Sequence, residues 1–266
     1  MSRAHYYVRA SSFARFFDCP KSWYEQTVLG KHLPSTAPAT IGTAVHKSTA
    51  AFDEHRMVND PITADDAAEV LMQHLADPGE EVDWAGTSLR KATTIALGVH
   101  ARYCSDIAPT REYIAVEQHL DELTIAFDDL DLDITLTGTL DRMFQKGGKF
   151  GVADLKTGAR AVSQSSGKHR AQVGVYELMA DELLRRDGSG TIELPGEIIQ
   201  LQTSSEYQVA VAPVVGARTL LLGDDQNTGM ITHIARALKT GDFWGNPSSW
   251  LCSEKYCPAW STCFYR

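Results

Sequence analysis

Cysteine placement constrains the fold of this chain more than any other feature of its sequence. Cys19 lies near the start of the chain, and three more cysteines, Cys252, Cys257 and Cys263, lie close together near its end. Four thiolates are sufficient for one tetrahedral zinc ion or one iron–sulfur cluster, which would hold the two ends together. Disulfides or separate buried thiols are the alternative. Because no apolar leader follows Met1, we expect a compartment that is not oxidising and favour a single metal centre.

Composition limits the class of protein without deciding its function. A chain of 266 residues with 43% hydrophobic content can bury a sizeable core as one domain, or as one domain with an insertion. No uninterrupted apolar run approaches the length of a membrane span, so we expect a cytoplasmic protein with no membrane partner. The formal charge of −9 argues against broad non-specific adhesion to nucleic acid. A nucleic-acid enzyme stays open, because carboxylates that bind metal add negative charge at a site.

One group of basic residues contrasts with this acidic composition. Its members are Lys156, Arg160, Lys168, His169 and Arg170. The group could face nucleic acid, or it could be the solvated face of a loop.

Hydrophobic periodicity predicts a mixed α/β organisation. Helices are expected at Ser12–Leu29 with a new turn at Pro20, from near Gly42 past Phe52, and at Thr63–Leu75, Ser88–Cys104, His169–Leu184 and Gln226–Leu238. Strands are expected at Tyr113–Val116, Leu123–Phe127, Ile134–Thr137 with an extension toward Phe144, Lys149–Ala153, Glu197–Gln202 and Tyr207–Val211. The sequence therefore predicts a mixed central sheet flanked by helices, with a mainly helical N-terminal part and an irregular, cysteine-rich tail over residues 244–266.

Three acidic residues and one lysine lie at or near the ends of the predicted strands. Glu117 closes one strand, Asp141 lies at the far end of another, and Asp154 and Lys156 directly follow the apolar segment 150–153. Residues two apart in a strand point to the same face, so Asp154 and Lys156 project together. Carboxylates that bridge divalent cations beside a lysine suit phosphodiester hydrolysis, because the metals activate a bound water and the lysine positions it or offsets phosphate charge. A surface ion pair is the alternative, but the ordered set of acids on successive strands favours catalysis.

The remaining candidate residues each have a structural alternative. His46 lies at the start of a predicted helix, where its imidazole could bind a divalent metal or have a purely structural role. Gln172 and Tyr176 lie one turn apart on a later helix, and on a plain core-helix interpretation Tyr176 packs and Gln172 is exposed. Cys104 is expected to be a buried helix thiol. The sequence has neither a Gly-rich phosphate loop nor a nucleophile elbow, so kinase, NTPase and serine-hydrolase functions gain no support.

Taken in order, these motifs resemble the RecB-type branch of the PD-(D/E)xK nuclease superfamily. The resemblance rests on Cys19-Pro20, Gly42-x-x-x-His46, Glu117, Gly138-x-x-Asp141-Arg142, Asp154-x-Lys156-Thr157-Gly158, Gln172-x-x-x-Tyr176 and the terminal cysteines. Within that branch, the chain is most similar to the iron–sulfur exonucleases related to the CRISPR-associated Cas-four proteins and to the AddB nuclease domain. Each motif is short, but their joint order covers nearly the whole chain, from Cys19 to Cys263.

The resemblance implies a fold and a set of residue roles. The fold is a single RecB-like nuclease domain over residues 1–266, with a restriction-endonuclease-like core, a helical insertion at about 58–110, and an iron–sulfur region formed by Cys19 and residues 244–266. Mg²⁺ or Mn²⁺ would be bound by His46, Asp141 and Asp154, beside Lys156 as the catalytic lysine and Glu117 as a further metal ligand or water-orienting group. Gln172, Tyr176 and Arg142 would support the site and contact DNA, and Cys19, Cys252, Cys257 and Cys263 would hold a [4Fe–4S] cluster.

Two departures from the family pattern bear on these roles. Cys252 and Cys257 are separated by four residues, where the family usually has two, so structural zinc stays an alternative to the cluster. Asp154 stands where many relatives have glutamate, and either carboxylate can bind metal.

The function implied by the resemblance is a metal-dependent DNA exonuclease that acts on single-stranded ends with 5′ to 3′ polarity. It would serve DNA repair, recombination or CRISPR-related processing in a bacterium or a phage-infected cell. The alternative is a non-catalytic DNA-binding partner subunit of a larger recombination or CRISPR-adaptation complex, but the complete acidic and lysine set favours the enzyme. A zinc-stapled structural protein is a third interpretation. The aromatic residues Trp23, Tyr24, Trp244 and Trp250 could stack on unpaired bases or pack in the core.

Overall fold

The computed structural model describes residues 3–159, 169–204 and 206–266. The helices are α1 Phe13–Asp18, α2 Pro20–Trp23, α3 Ala37–Met57, α4 Ala64–Ala76, α5 Leu89–Arg102, α6 Arg170–Arg186, α7 Ala217–Leu222 and α8 Met230–Thr240. The strands are β1 Ala4–Arg9, β2 Ser35–Thr36, β3 Val82–Asp83, β4 Tyr113–His119, β5 Leu123–Phe127, β6 Leu132–Thr137, β7 Thr139–Lys146, β8 Lys149–Gly158, β9 Gly196–Gln202 and β10 Val209–Val214. The predicted α/β class is confirmed. No helix within the described ranges is long and apolar enough to cross a membrane.

A five-stranded mixed sheet forms the centre of the fold, in the order β10-β9-β8-β7-β4. β8 runs parallel to β9, and the other neighbouring strands are antiparallel. β8 is the middle strand, and its residues 151–155 are all buried, because helices cover both faces of the sheet. Arg142 of β7 pairs with Ala153 of β8, so Asp141 and Asp154 occupy neighbouring positions at the same end of the two strands.

Two apolar cores lie on opposite faces of this sheet. One core packs Val152 of β8 against Val173 of α6, and the other packs Leu155 of β8 against Val45 of α3. Burying each such side chain contributes about 1.5–3 kcal/mol. Because successive strand residues point to opposite faces, Asp154 shares the α6 face with Val152. The two helices therefore approach the acidic end of β8 from opposite sides.

The prediction of one strand from Ile134 toward Phe144 is wrong, because the chain divides at Gly138 into β6 and β7, which belong to different sheets. A Cβ atom on residue 138 would lie 2.9 Å from Cε1 of Tyr176, a distance that real Cβ contacts do not adopt. Glycine therefore lets the chain pass against this ring. β6 continues into a second sheet, where it pairs parallel with β1 and antiparallel with β5. β1 was not among the predicted strands.

Local capping chemistry sets several helix boundaries. α2 begins at Pro20, as predicted, because Cys19 has an extended backbone with a φ of −154°. α4 begins with a capping box in which Thr63 and Asp66 each accept from the other's backbone N–H. Ser88 caps α5 by accepting from the Lys91 amide. The predicted helices at 63–75 and 88–104 therefore form, and they pack against α3.

Two other boundaries differ from the predictions. α3 begins at Ala37 rather than near Gly42, with a proline in its first turn, where a proline needs no hydrogen-bond donor. α8 begins at Met230 rather than Gln226, because Asp224 accepts from the backbone amides of Gln226 and Asn227 and holds that segment in a turn.

The tail beyond residue 243 is irregular, as predicted, and it docks on the N-terminal helices. The Lys21 amide donates to the carbonyl oxygen of Trp244 at 3.0 Å. The Asn246 side chain donates to the Asp18 carbonyl at 2.9 Å, and the Ser249 hydroxyl donates to the Asp18 carboxylate at 2.6 Å. These long-range bonds bring residues from the two ends of the sequence together.

Candidate active site

Helix α3 and strands β4 and β7 bring together three side chains of the types that serve as metal ligands. One ligand atom from each of His46, Glu117 and Asp141 lies within 4.8 Å of the other two. Nδ1 of His46 is 3.6 Å from Oδ2 of Asp141. An imidazole nitrogen and two carboxylate oxygens form a donor set that divalent metals accept. These three residues are among those that the sequence pattern singled out.

The backbone of Glu117 adopts an uncommon conformation. Its φ is +45°, although it lies within β4, which extends to His119 and does not end at Val116 as predicted. A left-handed non-glycine residue costs on the order of 1–3 kcal/mol, and such strain tends to occur at functional sites. Desolvation and the charge of Asp141 raise the pKa of Glu117, although Arg142 opposes that change.

Asp141 is the most strongly ionised carboxylate of the site. Burial opposes its ionisation, but the charges of His46 and Lys156 and a hydrogen bond from the Leu155 amide outweigh burial and lower its pKa to about 2. The Leu155 N–H donates to Oδ2 of Asp141 at 2.7 Å. Asp141 therefore carries a full negative charge at neutral pH, in a fixed orientation.

Asp154 is buried and interacts with a lysine and an amide. Nζ of Lys156 lies 2.7 Å from Oδ2 of Asp154, and the Gln172 side chain donates to Oδ1 at 3.0 Å. Burial raises the pKa of Asp154 to about 6, with Asp141 adding to the increase and Lys156 opposing it. Within the described residues, the group whose ligand atoms meet inside 4.8 Å consists of His46, Glu117 and Asp141. Asp154 lies next to that group and faces Lys156.

Gln172 and Tyr176 lie on the buried side of α6, under Asp154. The plain core-helix interpretation placed Gln172 on the surface, whereas its side chain is buried and donates to both Asp154 and the Tyr176 hydroxyl, the latter at 3.1 Å. Burial and the nearby charge of Asp154 raise the pKa of Tyr176 well above its ordinary value, so its ring stays neutral. Burial favours a supporting role for both residues over direct contact with DNA.

Arg142 is also buried, and its side chain faces α3. Its Nε donates to Oδ2 of Asp53 at 2.8 Å, and its Nη1 donates to the Asp141 carbonyl at 2.7 Å and to Oε1 of Glu117 at 3.4 Å. This position favours support of the site over contact with DNA. Sequence reasoning did not single out Asp53. The signal that could have found it is helical spacing, since residues seven apart, as His46 and Asp53 are, lie on the same face.

An open cleft of about 690 Å³ leads to these residues. One wall is α3, with small side chains at Ala39, Gly42 and Ala51, and the opposite wall includes Glu117 and residues 155–157. Lys47 of α3 also lines the cleft, and its Nζ lies 3.1 Å from Nδ1 of His74. His46, Glu117 and Lys156 therefore line the cleft directly, whereas Asp141 and Asp154 are buried beside them.

Two members of the basic group predicted from the sequence already have partners within the protein. Lys156 pairs with Asp154, and Arg170 donates to the carbonyls of Val215 and Gly216. Arg160 and Lys168 lie outside the described residues.

Comparison with known proteins identifies the fold family. The family model of the PD-(D/E)XK nuclease superfamily matches residues 8–264. The chain belongs to this superfamily. No curated protein is significantly similar to the chain in sequence.

Solved structures are similar to this PD-(D/E)XK chain at low sequence identity. One is a protein from Eubacterium rectale, provisionally named an exonuclease, with 12% identity, a TM-score of 0.54, and coverage of 92% of this chain and 86% of its own. Another is SSO0001, with 11% identity, a TM-score of 0.45, and coverage of 97% and 85%. Family membership supports a nuclease with DNA as its substrate class.

Four cysteines of this PD-(D/E)XK chain line one cavity between the tail and the N-terminal helices: Cys19, Cys252, Cys257 and Cys263. All have free thiols, and the Asn246 amide donates to Sγ of Cys19 at 3.4 Å. Desolvation and the charges of the other three raise the pKa of Cys252. Among the described residues, which include every cysteine, no three sulfur atoms lie within 4.8 Å of one another.

Cys104 lies apart from these four, on the π-helical turn Tyr103–Ile107 that follows α5. Its Sγ is 3.5 Å from Nε2 of His100, and burial raises its pKa to about 12. The prediction of a buried helix thiol is confirmed.

The aromatic residues divide into two pairs. Trp23 is fully buried against Phe16, and Tyr24 stacks on Phe243 with ring centroids 4.2 Å apart. Core packing therefore accounts for these two. Trp244 and Trp250 are exposed, so base stacking stays a prediction for them.

Proposed function

We propose that this PD-(D/E)XK protein is a metal-dependent DNA exonuclease of the RecB-like, iron–sulfur type. The observation that carries the proposal is the meeting of His46, Glu117 and Asp141 beside the Asp154–Lys156 pair, at the inner end of an open cleft. This arrangement combines metal ligands, a buried acid and a cation where a phosphodiester can enter.

The donor set fits a divalent cation. His46, Glu117 and Asp141 would hold Mg²⁺ or Mn²⁺, since Asp141 is ionised and the three ligand atoms already lie close together. Asp154 is a further ligand in this proposal, because it lies on β8 next to Asp141 of β7. A metal ion held by these residues would supply Lewis-acid chemistry, polarising a phosphoryl oxygen and lowering the pKa of a bound water.

The residues of the chain itself have distinct tasks in this proposal. Lys156, whose side chain is 25% exposed, offers its ammonium group to the attacking water or to the charge that grows on the phosphate. Gln172 and Tyr176 orient Asp154 from the α6 side. The Leu155 amide orients Asp141 from within β8. Both aspartates are therefore held by a hydrogen bond from a helix or a strand.

Single-stranded DNA is the substrate form that we propose. A cleft of about 690 Å³ lies within the size range of small-ligand pockets, so it suits a few nucleotides of one strand. Cleavage from ends, with 5′ to 3′ polarity, follows the family resemblance, and the provisional name of the Eubacterium rectale protein agrees with exonuclease activity.

A [4Fe–4S] cluster is the centre that we propose for Cys19, Cys252, Cys257 and Cys263. The four cysteines line one cavity, and four thiolates suffice for either this cluster or a tetrahedral zinc ion. The family resemblance favours the cluster, and zinc is the alternative. The amide that donates to Sγ of Cys19 is the kind of hydrogen bond that tunes such clusters. The cluster would be structural and hold the tail on α1 and α2.

The test is an anaerobic preparation assayed on end-labelled single-stranded DNA with Mn²⁺, beside Lys156→Ala and the matched control Lys149→Ala at the other end of β8. We expect broad absorption near ~400 nm from cysteine-ligated iron–sulfur, cleavage by the wild type and the control, and none by Lys156→Ala. A colourless, zinc-containing protein that cuts would retain the nuclease and refute the cluster. DNA binding without cutting by any of the three would favour the non-catalytic partner subunit.

A further inference from the structure

Helix α3 and strand β7 carry residues of one connected set that reaches the candidate metal site. α3 carries His46 and Asp53, and β7 carries the consecutive residues Asp141 and Arg142. We propose that Asp53, acting through Arg142, is a positioning residue that holds Glu117 in the metal site. This inference rests on the proposed function, because it concerns the same divalent cation.

The Asp53–Arg142 pair is completely buried. Both side chains have no exposed surface, and Nε of Arg142 lies 2.8 Å from Oδ2 of Asp53. The Tyr103 hydroxyl also donates to Asp53. Removing charges from water costs free energy that the ion pair does not always recover, so a buried pair is a weak contributor to stability. We therefore look for a role of the Asp53–Arg142 pair other than stability, and the contact of Arg142 with Glu117 indicates that role.

The guanidinium group of Arg142 connects Asp53 to two parts of the site. Nη1 donates to Glu117 and to the Asp141 carbonyl. Nη2 donates to the Thr49 hydroxyl at 3.2 Å, and that hydroxyl donates to the His46 carbonyl at 3.0 Å. Asp53 fixes Nε of the same planar group. Because the guanidinium is rigid, fixing one edge fixes the others.

Glu117 is the ligand that depends most on this contact. Its backbone φ of +45° is strained, and a strained conformation persists only where surrounding contacts determine it. The structure places the Arg142 guanidinium against the Glu117 carboxylate. Without Asp53, the guanidinium would lose the partner that aims it, and Glu117 would be free to relax away from His46 and Asp141.

The test measures Mn²⁺ binding to the full chain by electron paramagnetic resonance, without DNA. We expect Asp53→Asn to weaken Mn²⁺ binding about 10-fold or more, as loss of a group that orients a ligand commonly does. In a Glu117→Gln background, Asp53→Asn should cause no further loss, because the ligand on which it acts has already been changed. The control is Glu177→Gln, a buried carboxylate on α6 that bonds the Gly196 amide and should leave Mn²⁺ affinity unchanged.

Thr49→Val provides a second variant if Asp53→Asn does not fold, since it removes one hydrogen bond of Arg142 and nearly preserves shape. It should weaken Mn²⁺ binding in the same direction by a smaller factor. Wild-type affinity in the folded Asp53 or Thr49 variant, or an equal loss from Asp53→Asn in both backgrounds, would overturn the inference alone. A wild-type chain that does not bind Mn²⁺ would overturn the proposed metal site and this inference with it.

Discussion

The backbone N–H of Leu155 donates a 2.7 Å hydrogen bond to Oδ2 of Asp141, while the Leu155 side chain is buried in the α3 core. The middle residue of Asp154-Leu155-Lys156 therefore links its own strand to the acid on β7. A shift of β8 by one residue would replace this bond and turn Asp154 toward the opposite face. Register and catalytic geometry thus depend on the same residue.

Gln172→Ala should lower kcat about 10-fold with little change in KM, because it removes the amide that orients Asp154 without touching the cleft. Steady-state kinetics on single-stranded DNA measures both constants. Gln73→Ala, on the exposed side of α4, is the matched control and should behave as the wild type. An unchanged kcat in Gln172→Ala would remove Gln172 from the set of supporting residues.

Gly138→Ala should destabilise the protein by about 1–3 kcal/mol, the usual cost of overpacking. The added Cβ would lie 2.9 Å from Cε1 of Tyr176, so the ring has to move. Urea unfolding measures the change in free energy. Gly158→Ala is the control, because its Cβ would meet no atom nearer than 3.8 Å, and it should change stability by no more than about 0.5 kcal/mol. Equal stability of the two variants would contradict the close approach.

Asp181→Asn should destabilise the protein at neutral pH but not in acid. Burial opposes ionisation of Asp181, yet hydrogen bonds from Ile192 and Arg185 and the charge of Arg218 lower its pKa below the ordinary value of 3.8. Because the pKa of Asp181 is lower in the folded protein than in the unfolded chain, its ionisation stabilises the fold. This stabilisation is fully present above the ordinary value of 3.8 and is lost as the pH falls through the folded pKa.

The measurement for Asp181 is the difference in unfolding free energy between wild type and variant at a series of pH values. We expect the difference to be largest at pH 7 and to shrink below pH 3.8. Asp129→Asn, on an exposed turn after β5, controls for a general loss of negative charge. A difference that stays constant with pH would show that Asp181 does not act through its charge.

Cys252→Ala should lower the thermal midpoint and the absorption near ~400 nm before it affects cleavage. The reason is that the proposed cluster joins the tail to α1 and α2 in a cavity separate from the cleft that Glu117 and Lys156 line. Cys104→Ala is the control, since Cys104 lies on the turn after α5, and it should keep the wild-type spectrum. A colourless Cys252→Ala protein that is as stable and active as the wild type would refute the structural role.

Local patterns predicted the elements that carry the site. The apolar run 150–153 predicted a buried strand, and β8 is that strand. Helical spacing predicted the helix that carries Gln172 and Tyr176. Both predictions succeed because each signal is local. The residues of an apolar run, and the residues that share one face of a helix, lie within a few positions of one another in the sequence.

Features that depend on distant partners were not predictable in this way. The break at Gly138 depends on the Tyr176 ring, which lies on a helix far along the chain. β1 pairs with β6 across more than a hundred residues, and the left-handed Glu117 depends on contacts with Arg142. No sequence pattern near Asp53 indicates a functional residue, because the role that we propose for it depends on Arg142, its distant partner in the core.

The docking of the tail on the N-terminal helices has a consequence for how the protein is made. More than 240 residues separate Cys19 from Cys263, so at ~5–20 residues per second the ribosome completes the cysteine set roughly 12 to 50 seconds after it begins. During that interval α1 and α2 lack the tail contacts of Asp18 and Lys21. The nascent chain therefore carries Cys19 without the three cysteines that line the same cavity in the folded protein. The central sheet is synthesised before the two ends of the chain can be joined.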